Sequence, residues 1–454
     1  MLGFTRTTAI AVTAMVAVAA RADDDRVAVG EKGQRLAQLV ARCEALGFGG
    51  AVLAARDGKV VAALGVGHAD LEGKVPCTAT TLFELASATK QFTGACVVHL
   101  AQHKKLDLDD PLTRHLPGVP ASCAKITLRH LLQHTSGIPG DNSQGGGVEL
   151  AAVLPSFLRG GPTHEPGTHW EYWNQGYALL SEVVARRGEA SYVAYCRTAL
   201  FEPAGMRSTR FTGDVAPTGA VVAIGRSTNG APRSALDHPY GEYGFQYRGM
   251  GGAVSSVWDL WRWDRALHGT KVLSPTAKAA LFAPGLNDYA LGWFVRKLTA
   301  DLTVQSHGGG VRGFRCEIRR YPEAGACVFV LSHHDGFDTH QLANVLEAEL
   351  LDIPAPFKPV PAALAPDLAG RLVGRFADGK GVECEIALDG RATLVRIHWK
   401  GIGNEGPVTR AFLGVESSGR VVLYEWTEST PVELELGGAG PIAGFTLRGQ
   451  RFKR

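Results

Sequence analysis

Five prolines, Pro354, Pro356, Pro359, Pro361 and Pro366, interrupt the chain between residues 354 and 366, and no helix can run through them. Proline fixes φ and lacks the amide hydrogen, so this stretch is expected to run extended as a linker. It splits the 454 residues into a long N-terminal part and a short C-terminal one. A chain of this length is expected to build more than one core. With 45% hydrophobic and 20% charged residues, it is neither a disordered nor a collagen-like sequence. After the prolines, strand-like segments alternate with turn pairs: Val382 to Leu388 before Asp389-Gly390, Ala392 to Lys400, and Val421 to Trp426 after Ser418-Gly419. Residues 367–454 are therefore expected to form a small all-β domain.

The two ends of the long part look alike. Glu31 to Leu46 carries Leu36, Leu39, Val40, Cys43 and Leu46 at helical spacing, and the strands Ala51 to Ala55 and Lys59 to Gly65 flank the turn pair Asp57-Gly58. Near residue 350 the order reverses, with strands Phe314 to Tyr321 and Ala326 to Ser332 ahead of a helix from Asp338 to Leu351. An α+β domain over residues 23–353 follows, with an antiparallel sheet covered by the first and last helices and a helical subdomain inserted between.

Arg6, the apolar run Ala9 to Ala20 and the small-residue site Ala20-Arg21-Ala22 have the layout of a secretory signal, so residues 1–22 are expected to be removed and the mature chain to be secreted or periplasmic. The apolar run is shorter than the roughly 20 residues of a membrane span. Removing it takes away Arg6 and Arg21 and no acid, which leaves bases and acids almost balanced and speaks against nucleic acid as a partner. The dense basic run Arg315 to Arg320 is expected to be a solvated strand face. Eight cysteines show no C-x-x-C or zinc spacing. Neither a metal nor another cofactor is called for. Cys316 and Cys327 sit on strands whose turn places Cys316 opposite Leu331, so buried free thiols are expected.

Ser87-Ala88-Thr89-Lys90 is an S-x-x-K arrangement, and on a helix residues three apart share a face, so the lysine amine can reach the serine hydroxyl. With Ser87 at the helix start, unpaired amides also favour a developing oxyanion. Phe83, Ala86, Thr89 and Phe92 surround this pair with apolar bulk, and a lysine there needs a partner or a depressed pKa. In Tyr172-Trp173-Asn174, extended backbone would point Tyr172 and Asn174 into one cleft while Trp173 packs behind. In His307-Gly308-Gly309-Gly310, three glycines before a strand let the backbone approach a ligand.

S-x-x-K, Y-x-N and H-x-G in this order resemble the class C β-lactamase-related and penicillin-binding-protein-like serine hydrolases, as do Leu131 to Gly137 (LLQHTSG), Glu202 to Met206 (EPAGM) and Gly251 to Leu260 (GGAVSSVWDL). The resemblance spans residues 30 to 350. It implies Ser87 as the acylated nucleophile, Lys90 as its proton partner and Tyr172 as general base and leaving-group acid. Asn174 would orient Lys90 and the substrate, His307 and Gly309 would line the substrate, and the amides of Ser87 and Gly310 would form the oxyanion hole. Which of Lys90 and Tyr172 takes the proton stays open. The C-terminal domain resembles the lipocalin-like modules of some of these peptidases and esterases.

Many relatives have lysine where this chain has His307. A titratable imidazole replaces a permanent cation, which weakens the hold on the carboxylate of β-lactams and D-Ala-D-Ala peptides. Esters and D-amino-acid amides or peptides are favoured, with peptidoglycan-derived material among the candidates. If His307 touches the substrate, rates should respond to pH near its usual value of about 6.5. The alternatives are a β-lactamase or D-Ala-D-Ala carboxypeptidase, or a cell-wall sensor that does not turn over. His333-His334-Asp335 and the pair His164/His169 raise a metallohydrolase, but no H-E-x-x-H is present, and an α/β-hydrolase would need a G-x-S-x-G that is missing. The sequence leaves oligomeric state undetermined.

Overall fold

The computed structural model describes residues 25–44, 47–140, 147–227, 230–354, 361–362, 370–388, 395–400, 409–417, 420–425, 430–435, 440–447 and 449–454. The expected signal segment 1–22, Leu46, most of the proline-rich stretch and the turns Asp389-Gly390 and Ser418-Gly419 lie outside them.

Seven strands form the central sheet: β1 (Arg26–Ala28), β2 (Gly50–Arg56), β3 (Lys59–Val66), β4 (Phe294–Lys297), β5 (Thr303–Val311), β6 (Phe314–Tyr321) and β7 (Ala326–Ser332). Their order across the sheet is β1-β3-β2-β7-β6-β5-β4, with antiparallel pairing throughout. The two ends of the long part thus meet at one seam, where Phe329 stands opposite Leu53 and Leu331 opposite Ala51. The β2–β3 turn has both Asp57 (φ 51°) and Gly58 (φ 69°) in the left-handed region, as a two-residue hairpin with the sheet's twist requires.

Helices α1 (Gly30–Cys43) and, at the far end, Thr339–Leu351 pack together on one face. Leu36, Val40, Leu342, Leu346 and Leu350 meet Val52, Ala54, Val328 and Val330 there. The other face, with Leu53, Phe329 and Leu331, joins a larger core built from the insertion, including α2 (Lys90–Gln102) and α3 (Asn174–Gly188). The Thr339–Leu351 helix, α4, is capped by Asp338, whose Oδ1 accepts from the Gln341 amide at 3.0 Å. Every residue of β7 is buried, because layers cover both faces of it. The fold is α+β, as expected.

Beyond residue 360, nine strands from Pro361–Ala362 to Gln450–Lys453 form a separate all-β sheet among the described residues. Pro361 and Ala362, expected in the linker, pair with Val415 and Gly414 of that sheet. No described helix is long and apolar enough to cross a membrane.

The basic run differs from expectation. Arg315 is exposed, but Arg319 and Arg320 are buried on opposite faces of β6. Arg319 pairs with Glu317 at 2.9 Å and with Glu347 of α4 at 3.2 Å, while Arg320 pairs with Asp264 at 2.8 Å. The covering helices supply Glu347 and Asp264, a feature that strand alternation alone does not reveal. Cys316 does stand opposite Leu331, and all eight cysteines are buried free thiols.

Candidate active site

Ser87 is carried by a 3-10 turn, Ala86–Thr89, that runs straight into α2, whose first residue is Lys90. The serine therefore sits one turn earlier than a regular helix start, and Phe83, expected on the helix, belongs to the short strand Phe83–Glu84. Ala86 has φ 45°. An alanine in the left-handed region costs roughly 1–2 kcal/mol, a strain located immediately before the serine. Arg233 and Tyr247 both bond the buried Glu84 carboxylate and hold this approach.

Lys90 is fully buried, and its Nζ donates to Asn174 Oδ1 at 2.8 Å and to the Met250 carbonyl at 3.0 Å. Burial pushes its pKa well below the ordinary lysine value. Asn174 is the first residue of α3, and the extended Trp173 before it (φ −128°, ψ 106°) turns its ring into the core. Tyr172 consequently faces the other way, onto Ser87, with which its hydroxyl is hydrogen bonded. Burial raises the Tyr172 pKa and the Ser87 bond only partly offsets this, so the phenol stays protonated. Lys90 Nζ lies 4.8 Å from the centre of the Tyr172 ring.

β5 brings up the glycines. A Cβ at Gly309 would fall 2.1 Å from the Leu85 carbonyl oxygen and 2.9 Å from Cys316 Sγ, so only glycine lets this strand lie against the turn that carries Ser87. Gly310 is exposed and a Cβ there would meet nothing within 4 Å. Ser87, Tyr172, His307 and Gly308 to Gly310 share a cleft of ≈ 370 Å³.

His307 behaves differently from expectation. It is buried, its Nδ1–H donates to the Gly308 carbonyl at 2.6 Å, and its Nε2 accepts from the Tyr289 hydroxyl at 3.0 Å. Both ring nitrogens serve the protein itself. Burial lowers its pKa to about 4, below the ordinary imidazole value.

Two contributors escaped the sequence reading. Tyr289 engages Nε2 of His307, whose tautomer the Gly308 carbonyl sets. His134, at φ 57°, accepts from the Trp173 amide through Nδ1 at 3.1 Å and from the Glu171 amide through its carbonyl at 2.9 Å. Its ring lies 4.2 Å from the Tyr172 ring, centre to centre. The LLQHTSG segment held the signal, although nothing in its spacing links it to residues 171–173. Elsewhere His164 and His169 stack at 4.1 Å, and no group of three or more metal-ligating side chains converges among the described residues.

The Ser87 turn, a buried lysine, a tyrosine and a glycine strand edge thus meet where the antiparallel sheet joins the helical insertion. The Beta-lactamase family matches residues 36–352, and the chain belongs to that family. Among its relatives, penicillin-binding protein 4* of Bacillus subtilis (strain 168) is 28% identical over 380 residues, covering 77% of this chain and 84% of that protein. The octameric penicillin-binding protein homologue from Pyrococcus abyssi superposes with a TM-score of 0.65 at 21% identity, over 94% of this chain and 100% of that one. The D-amino acid amidase from Ochrobactrum anthropi SV3 gives 0.60 at 22% identity, over 71% and 98%.

Proposed function

We propose that the protein is a hydrolase that cleaves an ester or amide through an acyl-enzyme on Ser87. The observation that carries this reading is the buried Lys90 amine, held by Asn174 and Met250 beside a tyrosine bonded to the serine. In the resting site Lys90 is the neutral base and Tyr172 is protonated. Ser87 Oγ attacks the carbonyl carbon while its proton passes to Tyr172 Oη, whose own proton moves to Lys90 Nζ. The oxyanion forms against the backbone amides of Ser87 and Gly310. Lys90 then returns the proton through Tyr172 to the leaving nitrogen or oxygen, the carbonyl bond to it breaks, and water repeats the sequence on the acyl-serine.

Small esters and D-amino-acid amides are the preferred substrates, ahead of carboxylate-bearing β-lactams. A neutral His307 with both nitrogens engaged supports this, since it offers no cation to a carboxylate. Turnover of p-nitrophenyl acetate, D-alanine p-nitroanilide and a chromogenic cephalosporin tests the reading. Hydrolysis of the first two with Ser87-dependent acylation is expected. Faster turnover of the cephalosporin than of either would reverse the substrate order, and no acylation of Ser87 by any would end the proposal.

A further inference from the structure

Gly308 stands directly across from Glu317 in the β5–β6 register, so both positions face the α4 side of the sheet. A Cβ at Gly308 would come 3.0 Å from Glu317 Oε2. Glycine leaves that oxygen uncovered toward the strand edge. The edge itself is open, because pairing of β5 with β4 ends at Ser306 opposite Phe294. Glu317 is only 6% exposed, yet it lines the same cleft as Ser87.

The two carboxylate oxygens differ. Oε1 receives the Arg319 Nε at 2.9 Å and faces His340 Nδ1 at 3.4 Å. Among the described residues no hydrogen bond reaches Oε2, and it is not sealed away from the cleft. A carboxylate oxygen that no protein donor engages can accept a charge-assisted hydrogen bond from a cationic donor. Asp338 lines the cleft with Glu317, and so does Arg315, which lies opposite Gly310 and donates its Nε to the Asp335 carbonyl. Arg319 also bonds Asn344 and Glu347, so it holds Glu317 from behind without lining the cleft.

We propose that Glu317 Oε2, exposed by the absent side chain at Gly308, receives a cationic amino group of the substrate, so that the enzyme selects ammonium-bearing esters or amides. The inference rests on the acyl-enzyme reading. The charge belongs either to the acyl side of the scissile bond or to the leaving group, and paired substrates separate the two. D-alanine p-nitroanilide against its N-acetyl form carries the charge on the acyl side. 4-(Aminomethyl)phenyl acetate against the neutral 4-methylphenyl acetate carries it on the leaving group.

At least one cationic member should exceed its neutral partner about tenfold in kcat/KM. Glu317→Gln should bring that ratio close to one, and Gly308→Ala, which covers Oε2 without removing its charge, should lower it as well. Arg319 keeps Glu347 and Asn344 in the glutamine variant. Turnover with no preference for the cation in either pair, or a preference that survives both substitutions, overturns the subsite alone. Absence of any turnover together with no labelling of Ser87 by a fluorophosphonate overturns the acyl-enzyme reading, and the subsite with it.

Discussion

Lys90 Nζ donates to Asn174 Oδ1 at 2.8 Å, joining the first residues of two helices that lie 84 positions apart in the chain. Because that amine is buried, the bond both orients the lysine and leaves its charge unfavourable. Replacing the amine should therefore remove the base while disturbing little packing. Lys90→Met is expected to slow acylation of Ser87 about 10²- to 10⁴-fold, and Tyr172→Phe to act on the same step. Stopped-flow acylation with an activated ester measures both, and mass spectrometry should place the adduct on Ser87. An adduct on Ser136 or Ser255 would contradict the assignment.

The pH profile should carry the sign of a buried lysine. In the proposed mechanism neutral Lys90 accepts the proton, so the acylation rate is expected to fall as pH drops through its lowered pKa, with the limb below the ordinary lysine range. His307, at about 4 and buried, contributes no limb near 6.5. Acylation rates of the parent and of His307→Gln across pH 5 to 9 check this. A limb near 6.5 present in the parent and missing in the variant would show that the imidazole titrates in the active range.

His134 holds the 171–173 backbone through two hydrogen bonds, so its loss should misplace Tyr172 while leaving the substrate cleft open. His134→Ala is expected to lower kcat about 10- to 100-fold with KM on a small ester changed far less. His134→Asn should recover part of the loss, because asparagine tolerates the left-handed backbone and presents an acceptor to the Trp173 amide. Equal losses in kcat and KM for the two variants would point to general destabilisation.

At Gly309 a methyl group has nowhere to go. Gly309→Ala should destabilise the protein by about 1–3 kcal/mol, or push β5 off the Ser87 turn and impair acylation. Denaturant unfolding and acylation together measure it. A variant unchanged in both would show that the strand and the turn separate freely.

Export and modularity have their own tests. The mature chain is expected to begin at Asp23, which N-terminal sequencing of the exported protein reads directly. Limited proteolysis is expected to cut first between residues 354 and 366 and leave residues 23–353 cooperatively folded.

Local patterns carried a large part of this protein. Helical spacing in Leu36, Val40, Leu342 and Leu346 and the Asp57-Gly58 turn depend on near neighbours along the chain, and the structure places them as the spacing implied. Tertiary packing decided the rest. Arg319 and Arg320 are buried because α4 and the helix Val257–His268 bring carboxylates to opposite faces of one strand. The second nitrogen of His307 is engaged because packing brings Tyr289, eighteen residues earlier, against it. The open oxygen of Glu317 exists only because β5 and β6 pair Gly308 across from it. Charge states and contacts of buried polar groups follow from what packs beside them, and strand register and helix docking set those neighbours over distances that sequence spacing does not encode.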